Sequence, residues 1–202
     1  MCFYMGLPET TVMISTRYKR PFIAPEQFIP SKKINGFTYP TTPIIANDQP
    51  DSITMASWGL LPHWSTDLKF RKNTLNARIE TVETLPSFRD CSANRCLIPA
   101  SCFYEWRHEG TKKIPYIIIN QETDLFSFAG IYSDWTDATT QKVLRTYSIL
   151  TTAANETMQY IHNTKKRMPV ILHVADEEKW LGGAAINQFA YPYSVDLVGM
   201  GL

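Results

Sequence analysis

Apolar positions along this chain follow the pattern of strands more than that of helices. Short runs rich in β-branched and aromatic residues, bounded by turn formers, recur at 53–60, 95–98, 103–106, 116–120, 126–134, 146–153 and 169–172. Such residues suit a pleated, half-buried surface. Residues 107–113, with Gly110 in the middle, read as a turn joining two strands of a hairpin. Helical signals are few. Residues 25–29 can form a brief helix, and 82–88 is a short helical stretch interrupted by Pro86. The Asn155 side chain can accept an orphan amide hydrogen bond and start a helix through Ile161. Another helix, around 176–181, stops at Gly182-Gly183. No internal repeat, low-complexity tract or Gly/Ser linker divides the chain. The pattern predicts one domain over residues 1–202, of α+β class: a mainly antiparallel β-sheet, curled toward a barrel-like core, with short peripheral helices.

Composition adds mostly exclusions. At 202 residues, 44% hydrophobic and 19% charged, the chain can bury a substantial core and is not expected to be disordered. Lys and Arg total 20 against 19 for Asp and Glu, a net charge of +1, so any nucleic-acid site must be a local basic patch. The amino terminus has no secretory pattern and no apolar run reaches bilayer length, so a cytoplasmic protein without membrane contact is expected. Four cysteines (Cys2, Cys91, Cys96 and Cys102) are too few and too unevenly spaced for a disulfide scaffold. The last three lack both a CxxC pair and a histidine at finger spacing. Reduced thiols are expected, with neither a metal nor a cofactor.

Cys2 directly follows Met1. With Met1 removed, it would present an α-amine and a thiol on adjacent carbons. The amine, with a pKa near ~7.7–8.0, is substantially unprotonated at neutral pH and can form a Schiff base with an aldehyde. The thiol can then close a five-membered thiazolidine. Taken alone, Cys2 reads as an incidental residue beside the start. Glu105, between Tyr104 and Trp106, could occupy an apolar cleft fit for acid/base work, or face away from both rings into solvent. Local sequence leaves both open. His162 falls at the end of the 155–161 helix, before Lys165-Lys166-Arg167, whose charges favour its neutral form; the plainer reading is an exposed helix-end histidine. Asn76 and Arg78 would share one face of an extended segment, able to orient a carbonyl and bind a phosphate. Alternatively Asn76 caps a turn and Arg78 pairs with Glu80. Trp58 and Trp64 could stack on unpaired bases, although tryptophans so close together are more often core.

Together and in order, these segments resemble the SOS response-associated peptidase (SRAP) family, also called abasic-site processing proteins. The resemblance rests on Met1-Cys2, Trp58-Gly59-Leu60 with Pro62 and Trp64, and Asn76-Ala77-Arg78 with Glu80-Thr81. It continues through Cys96 to Trp106, ending Phe-Tyr-Glu-Trp, and Ile161-His162 followed by Arg167-Met168-Pro169-Val170. It spans essentially the whole chain. It implies an enzyme that senses abasic sites in single-stranded DNA during the DNA damage response and forms a covalent thiazolidine crosslink through Cys2. By position, Glu105 would serve as acid/base group, His162 would assist proton transfer during sugar ring opening, and Asn76 would orient Cys2 and the sugar. Arg78 and Arg167 would bind phosphates, and Trp106, Trp64 and Pro40 would pack against nucleotides. The expected partner is single-stranded DNA carrying abasic sites, bound by a monomer.

Three departures stand out. Phe3-Tyr4 replaces the family's usual Gly-Arg, removing one basic contact. Cys102 stands where glycine is common, and Asn163-Thr164-Lys165-Lys166 lengthens the spacer between His162 and Arg167. Two other functional classes fit the same residues: an amino-terminal-nucleophile peptidase or amidohydrolase using Cys2, and a non-catalytic binder of modified single-stranded DNA.

Overall fold

The computed structural model describes residues 2–202. Met1, whose removal the Cys2 reading requires, lies outside the described residues. The strands are β1 (Tyr4–Leu7), β2 (Ser31–Asn35), β3 (Thr41–Ala46), β4 (Thr54–Trp58), β5 (Asn76–Arg78), β6 (Arg95–Ala100) and β7 (Cys102–Glu109). They continue with β8 (Lys112–Asn120), β9 (Phe126–Thr136), β10 (Val143–Ala153), β11 (Arg167–Pro169), β12 (Ile171–Leu172) and β13 (Leu197–Gly201). The helices are α1 (Thr11–Tyr18), α2 (Glu156–Ile161) and α3 (Glu177–Leu181).

Strands β10, β4, β3, β6 and β9 hydrogen-bond in series, and β9 pairs back onto β10, closing a five-stranded barrel. Closure leaves no open edge within that ring. Its seams are antiparallel except β10–β4, which is parallel with Tyr147 opposite Trp58. The short β5 also runs parallel to β10, setting Asn76 opposite Ile149. A second, antiparallel sheet has the order β13-β8-β7-β1-β2. The α+β expectation is borne out, with the barrel fully closed.

The apolar runs explain this arrangement. Every residue of β9 from Phe126 to Ser133 is buried, so the strand needs cover on both faces. The second sheet supplies part of that cover, through an edge-on contact of Phe103 with Phe128 at 5.9 Å. Trp58, stacked at 6.2 Å on Tyr147, donates its indole N–H to the Leu75 carbonyl, which satisfies its one polar atom in the core.

The hairpin around Gly110 forms, but its strands run to Glu109 and Lys112 and leave only a two-residue turn. Asn155 caps α2 by accepting from Met158 N–H, and α3 ends at Gly182. Residues 169–172 are two strands instead of one: β11 pairs with β10 and β12 with β9, because Val170 crosses from Leu150 to Ala129. Residues 82–88 form turns instead of a helix, and 25–29 contributes only the 3-10 turn Pro25–Gln27. Helix α1 had no sequence signal. It is capped by Thr10 and buries only Ile14 and Tyr18, which leaves little apolar periodicity to read. No helix among the described residues is long and apolar enough to cross a membrane.

Candidate active site

Strand β1 joins β2 and β7 in the second sheet, with Met5 opposite Phe103 and Gly6 opposite Cys102. Antiparallel pairing runs the Cys2 end of the chain back along the Glu105–Trp106 end of β7. Gly6 is required there. A Cβ would come within 2.6 Å of the Lys32 carbonyl oxygen and 2.5 Å of Cys102 Sγ. The Cys102 side chain that departs from the family pattern is thus accommodated opposite a residue with none.

Cys2 is fully buried, and its thiol faces the Tyr4 carbonyl at 3.7 Å. Burial, reinforced by the nearby Glu105 carboxylate, raises the thiol pKa far above its ordinary value, so the sulfur is a protonated thiol at neutral pH. Asn76 donates through Nδ2 to the Cys2 carbonyl oxygen at 2.8 Å and fixes this end of the chain from the barrel side. Its Oδ1 is buried with no hydrogen-bond partner among the described residues. Asn76 therefore holds Cys2 and does not cap a turn.

Glu105 is buried, which settles the two local readings against the solvated one. It does point away from Tyr104 and Trp106, but the face it points to is the interior. His162, the residue ending α2, is also buried, against the plainer expectation of an exposed helix end. Its Nε2 lies 4.0 Å from Glu105 Oε2. Its Nδ1 lies 2.8 Å from the Arg167 carbonyl oxygen, which can only accept. Nδ1 therefore carries the hydrogen in the neutral ring, which makes Nε2 the acceptor nitrogen. The more distant approach of Arg167 N–H to Nδ1, at 3.4 Å, would require the opposite tautomer and is the weaker contact. Burial lowers the His162 pKa, partly offset by the Glu105 charge, so the ring is neutral at pH 7.

The spacer at 163–166 is held by hydrogen bonds at both of its ends. Asn163 accepts from His108 N–H at 3.1 Å and donates to the His108 carbonyl at 2.8 Å, which ties the spacer to β7. The spacer then turns back at Lys166, whose N–H bonds the His162 carbonyl. Above the pair lies a cleft of about 380 Å³ lined by Phe3, Tyr4, Glu105, Trp106, His162 and Thr164, among others.

The other predicted contact residues are dispersed. Trp106 lines this cleft. Pro40 lines a separate groove of about 490 Å³ with Lys33, Asn35 and Thr38. Trp64 is exposed, packs edge-on to Phe70 at 5.2 Å, and borders a third groove with His63 and Trp135. Trp58 is core. Arg167 is gripped bidentately by Glu80 at 2.6 and 2.9 Å and bonds the Thr151 carbonyl at 2.7 Å. Arg78 has a side chain 64% exposed and only a loose 3.8 Å approach to the same carboxylate, so its donors face solvent. Sequence reasoning missed Tyr4, His108, Lys113 and Thr164 as cleft residues, and nothing in their local sequence marks them.

Residues 1–195 match the family model described as SOS response associated peptidase (SRAP). The chain belongs to the SRAP family. Among its relatives, abasic site processing protein YoqW of Bacillus subtilis is 38% identical over 164 residues, covering 77% of this chain and 71% of YoqW. Abasic site processing protein HMCES of Gallus gallus is 33% identical over 154 residues, 64% of this chain and 45% of HMCES. A crystal structure of a Bacteroides thetaiotaomicron protein superposes with a TM-score of 0.89 at 35% identity, covering all of this chain (100%) and 92% of that one. The SRAP fold thus brings together the sequence-predicted Cys2, Asn76, Glu105 and His162, with Cys2, Glu105 and His162 buried and Asn76 half-buried.

Proposed function

We propose that this protein processes abasic sites in single-stranded DNA by attaching itself covalently to the sugar through Cys2 once Met1 has been removed. The observation that carries this reading is the buried Glu105–His162 pair, 4.0 Å apart, set beside a Cys2 backbone held by Asn76 at 2.8 Å. An abasic sugar is mainly a closed hemiacetal. Neutral His162 is suited to take the hemiacetal hydroxyl proton as the bond from that carbon to the ring oxygen breaks, and to return a proton to the released oxygen, freeing the aldehyde. The Cys2 α-amine then adds to the aldehyde carbon and water leaves, giving an imine. The Cys2 sulfur adds to the imine carbon while its proton passes to the imine nitrogen, directly or through Glu105, and the thiazolidine ring closes with net loss of one water.

The thiol supports this order of events. Because burial keeps it protonated, the amine is the better first nucleophile, and sulfur reacts when a base can take its proton. The unpartnered Oδ1 of Asn76 has the capacity to accept a hydrogen bond from a sugar hydroxyl. Holding both reactants makes the attack effectively unimolecular, a gain of several kcal/mol or more (up to ~7–11). Arg78 supplies a phosphate contact, and Arg167, held by Glu80 and Thr151, supports the His162 loop.

Intact mass of the protein after incubation with a single-stranded oligonucleotide carrying one abasic site tests this reading. The expected species is the chain lacking Met1 plus the oligonucleotide minus one water, stable to heating and absent from Cys2→Ala and Cys2→Ser. Serine fails because it cannot supply the ring sulfur. A protein without Met1 that stays at its own mass would sink the covalent reading. Cleavage of a peptide panel lost in Cys2→Ala would then favour the hydrolase.

A further inference from the structure

Lys33, on β2, presents its ammonium 5.2 Å from the Tyr4 ring centroid, 5.1 Å from that of Tyr104 and 5.5 Å from that of Trp106. The three rings come from β1 and β7, and β1 is the strand that pairs with both β2 and β7. Alternation puts Tyr104 and Trp106 on one face of β7 and Glu105 on the other. The cage is braced: Tyr4 meets Trp106 edge-on at 5.2 Å, and the Tyr104 hydroxyl donates to the Lys32 carbonyl at 2.8 Å. Aromatic faces attract a cation without consuming its N–H donors in strong hydrogen bonds. Lys33 is exposed, and among the described residues no carboxylate neutralises it, in contrast to Arg167 on Glu80. A flexible lysine is here held in place with its charge and donors unspent.

Its position is informative. Lys33 lines the groove that contains Pro40, while Tyr4 and Trp106, which hold it, line the cleft over Glu105 and His162. The cage is the partition between the two. We propose that Lys33 binds a backbone phosphate of the nucleotide flanking the abasic site, where the DNA strand leaves the reaction cleft and enters the Pro40 groove. This rests on the single-stranded DNA reading above and extends it with a strand path and a contact residue. A polyanion fits the site because a fixed cation on the partition between two neighbouring grooves complements a repeating charge along an extended chain. Tyr4, Tyr104 and Trp106 act on this phosphate by positioning Lys33.

The test is fluorescence anisotropy of the whole chain with a labelled, undamaged single-stranded oligonucleotide from about 50 to 200 mM salt, for wild type, Lys33→Ala and Lys33→Arg. Neutralising one phosphate contact on a single strand changes the slope of log affinity against log salt by roughly 0.7. The expected result is weaker binding by Lys33→Ala at low salt, with a slope shallower by about that amount, and a slope close to wild type for Lys33→Arg. Wild-type binding with an unchanged slope in Lys33→Ala overturns the Lys33 site alone. Failure of the wild type to bind any single strand overturns both this site and the reading beneath it. A shallower slope in Lys33→Ala alongside no covalent adduct on abasic DNA keeps the phosphate site and removes only the covalent chemistry.

Discussion

At the scale of single residues, the site withholds water from two groups of different chemistry. Burial keeps the Cys2 thiol protonated and His162 neutral, and both states suit a sequence in which an amine attacks first and a base collects protons. The consequence for pH is specific. Crosslinking should fall toward acid because the α-amine of Cys2 protonates below ~7.7–8.0. It should fall more steeply still below the depressed pKa of His162, under its ordinary 6.5, where the ring gains a proton and loses its lone pair. His162→Gln should lower the rate and remove that second, steeper limb while leaving the first. A pH–rate profile measured at saturating abasic DNA reads both, and an unchanged steep limb in the variant would count against His162 as the base.

At the scale of elements, two close approaches decide whether the site and barrel can form. Gly6 lets β1 lie against the β2 backbone, and Gly130 lets the barrel seam close. A Cβ at 130 would sit 2.5 Å from Ile98 Cδ1 and 3.0 Å from both Cys96 Sγ and the Ser148 carbonyl oxygen. Overpacking of this kind costs about 1–3 kcal/mol. Gly130→Ala should therefore lower stability by that order in urea unfolding, with crosslinking by the folded fraction retained. Gly6→Ala meets a carbonyl oxygen that cannot rotate away, so it should displace β1 and impair crosslinking along with stability. Wild-type crosslinking by Gly6→Ala would contradict this placement of the cysteine end.

For the molecule as a whole, acid should weaken the fold in two windows. His162 has a lower pKa folded than unfolded, so the unfolded chain binds the proton first. Stability is lost as pH drops from about 6.5 toward the folded value. Asp48 and Glu80 are pushed up by burial, but hydrogen bonds from Arg145 and Arg167 hold them on balance below the ordinary carboxylate range. Their contribution is present above their ordinary values of 3.8 and 4.5 and is lost as pH falls through the lower folded ones. Arg145 joins Asp48, in the β3–β4 connection, to Asp134 on β9, so this second loss loosens the barrel wall. Melting temperatures between pH 3 and 8 should decline in both windows, and His162→Gln should flatten only the upper one. A fold that gains stability on acidification through 6.5 would contradict the buried neutral histidine.

Local chemistry made much of this protein legible. The strands of the barrel wall announce themselves because a segment buried on both faces must be largely apolar, as 126–132 is with Ser127 its one polar side chain. Asn155 marks α2 because a cap is a bond made within four residues. The ordered blocks around Cys2, Asn76, Glu105 and His162 were enough to name the family and the residues of the cluster. The sequence could not show that Glu105 faces inward, since strand alternation separates two faces without saying which is wet. That depended on α2 and its loop covering β7. It also could not foretell that Arg167 would be held by Glu80 while Arg78 stayed open, or that Lys33 would stand among three rings. Those outcomes join residues distant in the chain, and only strand order and register bring them together.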